Sequence, residues 1–212
     1  AINIILMSGL SLCLFCGCAS TRQSPDLAKL YNKSSQYHVP YRNPIIVIPD
    51  ILGSKLIEPE SGQVVWGAFG GSSANPRNPH DAHLIALPMR EGAPLTDLKD
   101  TVIPNGVLDK VKVKLFGPPI QLDAYVHILV ALGIGGYRDE LLGQLGEIDY
   151  GDDHYTCFQF DYDWRRDNVE NAQRIYQLIL EKRAYVRAET RKRYGIDNPD
   201  IKFDVVSHSM GG

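Results

Sequence analysis

Three short runs of apolar residues predict buried strands in the body of the chain. Residues 45–48 (IIVI) form a continuous β-branched run between Pro44 and Pro49, which is typical of a strand buried on both faces. The alternating aromatic residues of 154–164 (HYTCFQFDYDW) predict a second strand that runs into a loop. Residues 201–206 (IKFDVV) predict the third strand.

A first helix is predicted within residues 122–137, before the second strand. Tyr125, Leu129 and Leu132 recur at helical spacing, and the segment ends in glycines that can cap a helix. This pattern predicts a helix that packs one apolar face on the sheet.

A longer amphipathic helix is predicted between the second and third strands. Asp167 and Glu170 have the spacing of an N-terminal capping box, and Gly195 is suited to the C-terminal end. The apolar positions expected on its buried face are Ala172, Ile175, Ile179 and Val186.

The order of these elements predicts an α/β fold. Because helices separate the strands, the connections should be right-handed crossovers, which produce a parallel sheet. Residues 57–121 are rich in Gly, Pro, Ser and Asn, so we expect mostly irregular chain there, typical of a lid or a binding insertion.

The N-terminal pattern differs from the body, because residues 2–18 are apolar and almost uncharged. This length suits a signal-peptide core and is marginal for a membrane-spanning helix. The end of the segment, LFCGC, resembles a bacterial lipoprotein signal in which Cys18 would be lipidated. An ordinary secretory signal or an anchor helix is the alternative. No basic region or initiating Met precedes the segment, so we expect the sequence to begin inside the signal.

These features predict a signal segment at 1–18, a polar tether at 19–42 and a partial catalytic domain at 43–212. The expected location is the bacterial cell envelope, lipid-anchored and facing the periplasm. A net charge of −3, without a basic face, argues against nucleic acid as a partner. Cys157 is the one cysteine in the body of the chain, so no disulfide framework is expected there. Cys157 is expected to be a small buried side chain.

The segment SHSMGG after the third strand has the pattern of a nucleophile elbow, with Ser209 as the nucleophile. Small residues permit the sharp turn, and the Met210 amide would then face the oxyanion that forms on the substrate. The second amide would come from Ile51, in the loop after the first strand. Ser207 replaces the first glycine of the usual pattern, and a surface turn is the alternative interpretation.

Other polar clusters support weaker hypotheses. Residues 80–83 (HDAH) and the acidic residues of 149–163 lack the spacing of known metal sites, so no metal or cofactor is expected. Trp164, Arg165 and Arg166 could meet a phosphate or carboxyl group, or could pack the sheet end and pair with nearby aspartates. His208 is expected to have a structural role, since neighbouring side chains on an elbow point apart.

The segments PIIVIPDILGSKL, VVWG, YVHILVALGIGGY, FQFDYDWRRD and VVSHSMGG, in this order, resemble the lecithin:cholesterol acyltransferase family of the α/β-hydrolase superfamily. The resemblance covers residues 44–212. It implies cleavage of a phospholipid ester by Ser209, an oxyanion hole of Ile51 and Met210, and a lid over the acyl groove at 66–104.

One residue departs from that family, since Asp50 stands where a glycine follows the proline of the first loop. If that position needs a positive φ, Asp is costly there, and a carboxylate near the oxyanion would disfavour catalysis. The departure puts catalytic efficiency in doubt more than the fold.

The resemblance leaves three functional hypotheses. The first is a lipid-anchored serine acyltransferase or hydrolase that acts on membrane phospholipid. The second is a weak or inactive hydrolase-like lipoprotein that binds lipid or a partner, and the third is an esterase for soluble esters. In α/β-hydrolases the triad acid and base follow the serine, so we expect an N-terminal part of that fold that stops after the elbow and is inactive alone.

Overall fold

The computed structural model describes residues 40–67, 73–108, 110–113, 120–123, 125–152 and 154–212, which form a mixed α/β structure. Cys18, the predicted signal segment and the tether as far as residue 39 lie outside the described residues. The strands are β1 (Ile45–Ile48), β2 (Ser54–Glu58), β3 (Gln63–Trp66), β4 (Ile103–Val107), β5 (Lys110–Val113), β6 (Ile120–Asp123), β7 (Cys157–Gln159) and β8 (Asp204–Ser207). The helices are α1 (Pro79–Ile85), α2 (Val126–Ile134), α3 (Glu140–Gln144) and α4 (Asn168–Tyr194), with short 3-10 turns at Leu95–Asp97 and Ser209–Gly211.

The predicted parallel sheet is confirmed, with strand order β7-β1-β8. Ile46 pairs with Phe158 of β7 on one side and with Val205 of β8 on the other. The central position of β1 explains its apolar run, because both of its faces are covered. The second strand is shorter than the aromatic pattern indicates, since β7 contains only Cys157–Gln159.

Side chains of β1 alternate between two apolar clusters. Ile45 and Val47 join a cluster that includes Leu129 of α2, Leu142 of α3 and Val186 of α4. The opposite face packs in a second cluster, whose members include Ile46, Phe160, Tyr162, Ile175 and Ile179. The sheet is therefore anchored on both faces, and the loops at the carboxyl ends of its strands have a rigid base.

The first predicted helix begins later than expected. Helix α2 starts at Val126, and Leu122 belongs instead to strand β6, which pairs with β5 in an antiparallel hairpin. Tyr125 occupies the N-cap position and is almost fully buried. Gly135 ends the helix, as the glycine-rich sequence predicted.

The long helix is confirmed, with two corrections. The Asp167 side chain accepts a hydrogen bond from the Val169 amide, and Gly195 closes the helix in the left-handed conformation (φ 66°). Glu170, however, binds the Arg166 guanidinium. Of the predicted buried face, Ile175 and Ile179 are half-buried and Val186 is buried, whereas Ala172 is exposed and that assignment was wrong.

Residues 57–121 contain more regular structure than their composition indicates, although much of the segment is irregular, as predicted. The segment supplies β3, β4 and the end of β2 to an antiparallel sheet of order β3-β2-β4, and it contains helix α1. A small core of Leu56, Val65, Leu84 and Val102 supports this sheet, and Trp66 and Trp164 pack against it. Glycine and proline mark the turns between short strands here, so composition hid the regular structure.

Cys157 is a buried free thiol on β7, as predicted.

Within the described ranges, no helix combines the length and apolar character needed to cross a membrane.

The N-cap of α4 provides a test of the helix boundary. Asp167→Ala should lower the free energy of unfolding by about 1 kcal/mol, because the Val169 amide loses its acceptor. Denaturation in urea measures the change. Asp200→Ala is the matched control, because Asp200 is exposed and pairs only loosely with Lys202 (3.7 Å). Its effect should stay within about 0.5 kcal/mol, and equal losses in both variants would contradict the capping role.

Candidate active site

Ser209 lies on a sharp turn directly after a strand of the parallel sheet. The His208 amide donates to the Ile48 carbonyl (3.1 Å), which extends the pairing of β8 with β1 to the edge of the turn. Ser209 then takes a positive φ of 53° and begins the 3-10 turn Ser209–Gly211. A left-handed backbone at a non-glycine residue is strained, and such strain is concentrated at functional sites. This strand, strained serine and helical turn match the elbow predicted from sequence.

Close backbone packing presses the turn against the end of β1. A Cβ atom at Gly211 would lie 2.5 Å from the Pro49 carbonyl oxygen and 2.9 Å from the Ile48 carbonyl oxygen. Only glycine permits this approach without displacement. Ser209 is thereby brought beside the loop that leaves β1, although the two segments are far apart in the sequence.

The loop after β1 is a tight turn with its own strained residue. The Gly53 amide donates to the Asp50 carbonyl (3.0 Å), and Leu52 has a φ of 68°. The positive φ therefore falls at Leu52 and not at Asp50, so the strain expected at the Asp50 departure is absent. A Cβ at Gly53 would lie 2.6 Å from the Pro49 Cβ, which explains the glycine at that position.

Side chains from other segments bind the backbone polar groups of this loop. The Tyr162 hydroxyl donates to the Pro49 carbonyl (3.2 Å), and the Trp66 indole donates to the Leu52 carbonyl (2.8 Å). The Asp50 amide donates to the Tyr125 hydroxyl (2.7 Å). These contacts fix the peptide group before Asp50 and the one after Leu52, which flank Ile51 at a distance of one residue on each side.

The two amides predicted for the oxyanion hole remain available. In the part of the chain that the structure describes, neither the Ile51 nor the Met210 amide donates a hydrogen bond. The 3-10 turn is closed by the Gly211 and Gly212 amides, which leaves Met210 at its open N-terminal end. Ile51 is 44% and Met210 37% exposed, so both residues lie at the surface.

A polar cluster that the sequence did not indicate adjoins the elbow. The Tyr125 hydroxyl donates to Asp50 Oδ1 and lies 3.2 Å from His208 Nδ1, which is 3.5 Å from Asp50 Oδ2. Burial and the Asp50 hydrogen bond raise the pKa of Tyr125 far above its ordinary value, so it stays a neutral phenol. The sequence placed Tyr125 only on a helix face, since no spacing links it to Asp50 or His208.

The segment after β7 supports the structural alternative for its arginines. Arg165 is buried and binds Asp163, Asp100 and the Leu84 carbonyl. Arg166 pairs with Glu170 and not with Asp167 as considered from sequence. Trp164 packs edge-on against Trp66, with 5.5 Å between ring centroids. The guanidinium groups are thus engaged in joining β7 to the 79–101 segment.

A groove with a volume of about 670 Å³ lies beside residues 80–101. His83, Leu87, Met89 and Lys99 are among the residues that line it, and Ser209 is not. Among the described residues, no group of three or more His, Cys, Asp or Glu side chains could hold a metal ion.

Fold and site together define an α/β protein with a strained serine at the carboxyl end of a central parallel sheet. The chain matches no protein-family model, no curated protein and no solved structure.

The approach of Gly211 to β1 predicts a steric requirement at the elbow. Gly211→Ala should lower the free energy of unfolding by about 1 to 3 kcal/mol, because the added methyl overlaps the Pro49 and Ile48 carbonyls. Urea denaturation measures it. Gly212→Ala is the matched control, since a Cβ there meets nothing closer than 3.3 Å and the loss should be smaller. A Gly211→Ala protein as stable as the wild type would show that the turn does not pack this way.

Proposed function

We propose that this protein is a serine-dependent acyltransferase or acyl-ester hydrolase that acts on phospholipid or related lipid esters through an acyl-serine intermediate. One observation carries the proposal. Ser209 has a positive φ of 53° on a turn between a parallel strand and a 3-10 turn, which is the geometry of a nucleophile elbow. The resemblance to the lecithin:cholesterol acyltransferase family and to the α/β-hydrolase fold supports the same chemistry.

In the proposed reaction, Ser209 Oγ attacks the ester carbonyl while a base takes its proton. The carbonyl oxygen becomes an oxyanion, and the amides of Ile51 and Met210 would donate to it. The intermediate then expels the alcohol, which receives the proton and leaves an acyl-serine ester. Water or an acceptor alcohol attacks that ester, takes the acyl group and regenerates the Ser209 hydroxyl. Because the Ser209 hydroxyl makes no hydrogen bond within the described ranges, the base is not assigned to any of these residues.

The lipid substrate class is supported by sequence features. A lipoprotein-type signal ending at Cys18 would hold the protein at the bacterial envelope, facing the periplasm, beside its substrate. The Asp50 carboxylate, which raised the alternative of an inactive lipid-binding protein, accepts a hydrogen bond from Tyr125 and so is not left unpaired at the site. The hydrogen bond leaves the negative charge of Asp50 in place, so labelling of Ser209 distinguishes the active form from the inactive one.

Covalent labelling tests the nucleophile directly. The full-length protein should form a fluorophosphonate adduct on Ser209, detected by peptide mass spectrometry, and should hydrolyse or transfer acyl groups. Ser209→Ala should abolish the adduct and lower kcat by about 10⁴-fold or more, because the covalent step is lost. Ser207→Ala, two residues earlier on the same turn, is the matched control and should retain the adduct. An unlabelled but folded wild-type protein would indicate the inactive lipid-binding alternative.

Substrate preference separates the lipid enzyme from a soluble esterase. Acyl release from phosphatidylcholine vesicles should exceed release from a dissolved short-chain ester at equal ester concentration, since the proposed substrate lies in a membrane surface. Thin-layer chromatography of labelled fatty acid and acylated acceptor measures both. Turnover of the short-chain ester alone would refute the lipid assignment while leaving Ser209 as nucleophile.

A further inference from the structure

We propose that Tyr125 is a positioning residue for this site: its hydroxyl fixes the Asp50 backbone, so that the next amide, of Ile51, faces Ser209. This inference rests on the proposed function and deepens it. Tyr125 touches neither of the amides assigned to the oxyanion, so its effect would pass through the loop.

The Tyr125 side chain is anchored where it can act as a fixed point. The residue is 6% exposed and caps the first turn of α2, where its carbonyl accepts from the Ile128 amide (3.0 Å). Its own amide donates to the Leu108 carbonyl (3.3 Å). Both backbone groups are therefore bound, and the phenol has little freedom to follow a moving loop.

The hydrogen-bond inventory of the phenol makes its role specific. A tyrosine hydroxyl has one proton to donate and lone pairs that accept. The Tyr125 hydroxyl accepts a hydrogen bond from the Asp50 amide (2.7 Å) and donates its proton to Asp50 Oδ1. The backbone amide and the side-chain carboxylate of Asp50 are therefore bound to the same oxygen atom. This double contact fixes the amide and the side chain of Asp50, the residue whose carbonyl belongs to the peptide that carries the Ile51 amide.

His208 completes the connection to the nucleophile's turn. Because the phenol proton goes to Asp50, the His208 Nδ1 atom at 3.2 Å must be the donor in its contact with Tyr125. The imidazole then carries its proton on Nδ1, where Asp50 Oδ2 also lies 3.5 Å away. One buried hydroxyl thus joins the loop after β1 to the residue before Ser209.

The strain in the loop explains why such an anchor is needed. Leu52 is in the left-handed region (φ 68°), which a non-glycine residue leaves unless surrounding contacts oppose it. Trp66 holds the Leu52 carbonyl, and Tyr162 and Tyr125 hold the two ends of the Pro49–Asp50 peptide, but only Tyr125 also binds the Asp50 side chain. The Gly53 amide binds the Asp50 carbonyl, so loss of the Tyr125 contact would release the other side of Asp50 and let the Ile51 amide shift relative to the oxyanion.

Tyr125→Phe in the full-length protein tests this role, because it removes the hydroxyl and keeps the ring. We expect kcat on p-nitrophenyl butyrate or phosphatidylcholine vesicles to fall by about 100-fold with KM little changed, since a misplaced donor weakens binding only in the transition state. Tyr150→Phe is the matched control. Its buried hydroxyl likewise accepts a backbone amide, that of Asp139 (2.9 Å), and its loss should leave kcat unchanged.

A second pair of variants tests the same contact from the loop. Asp50→Ala removes the acceptor of the phenol proton and should lower kcat, whereas Asp50→Asn restores an oxygen acceptor and should recover most of it. Equal kcat values for these two variants would overturn the proposal. The pair also keeps the test valid if Tyr125→Phe fails to fold.

Amide hydrogen exchange separates this inference from the proposed function. Exchange at the Asp50 amide should be faster in Tyr125→Phe than in the wild type and unchanged in Tyr150→Phe, whether or not the protein turns over ester. If Ser209→Ala abolishes activity but Tyr125→Phe keeps wild-type kcat and exchange, the positioning role alone is wrong. If Ser209→Ala retains activity while exchange responds as expected, the proposed function is wrong and the anchor stands.

Discussion

The site depends on the close approach of one glycine to the end of the central strand. Gly211 packs so near the Ile48 and Pro49 carbonyls that any larger residue would displace the turn. Because β8 is paired with β1 up to His208, this contact decides where the chain turns and therefore where Ser209 stands. A backbone constraint of this kind is stiff, since neither a strand end nor a packed peptide can rotate to relieve an overlap.

The second constraint is the turn after β1, which is bound by residues from three separate parts of the chain. Trp66 comes from β3, Tyr125 from the start of α2 and Tyr162 from the segment after β7. The antiparallel sheet around β2 therefore contacts the site directly, through the hydrogen bond from Trp66. Preorganised donors are effective because they need not reorient as charge develops. In the proposed reaction, a loop bound on both sides of Ile51 would meet that condition.

Much of this structure could be predicted from sequence because its signals are local. A continuous apolar run predicts a strand covered on both faces, and Asp167 and Gly195 mark the ends of α4 through their own backbone preferences. The elbow at Ser209 was recognisable for a similar reason, since a sharp turn needs small neighbours. Where glycines and prolines separate short strands, as in the sheet of β2, the same local signals indicated irregular chain and did not reveal the strands.

The sequence by itself determined the parallel α/β class, the long capped helix and the position of the strained serine, because each depends on residues within one segment. Tertiary structure alone decided the partners of Asp50, since Tyr125 lies 75 residues from it and no periodicity relates them. It also decided that the positive φ falls at Leu52, and that Arg165 pairs across the fold with Asp100. Such contacts arise only when strands pair and loops come together at one edge of a sheet. The spacing of residues along the chain does not predict which loops these are.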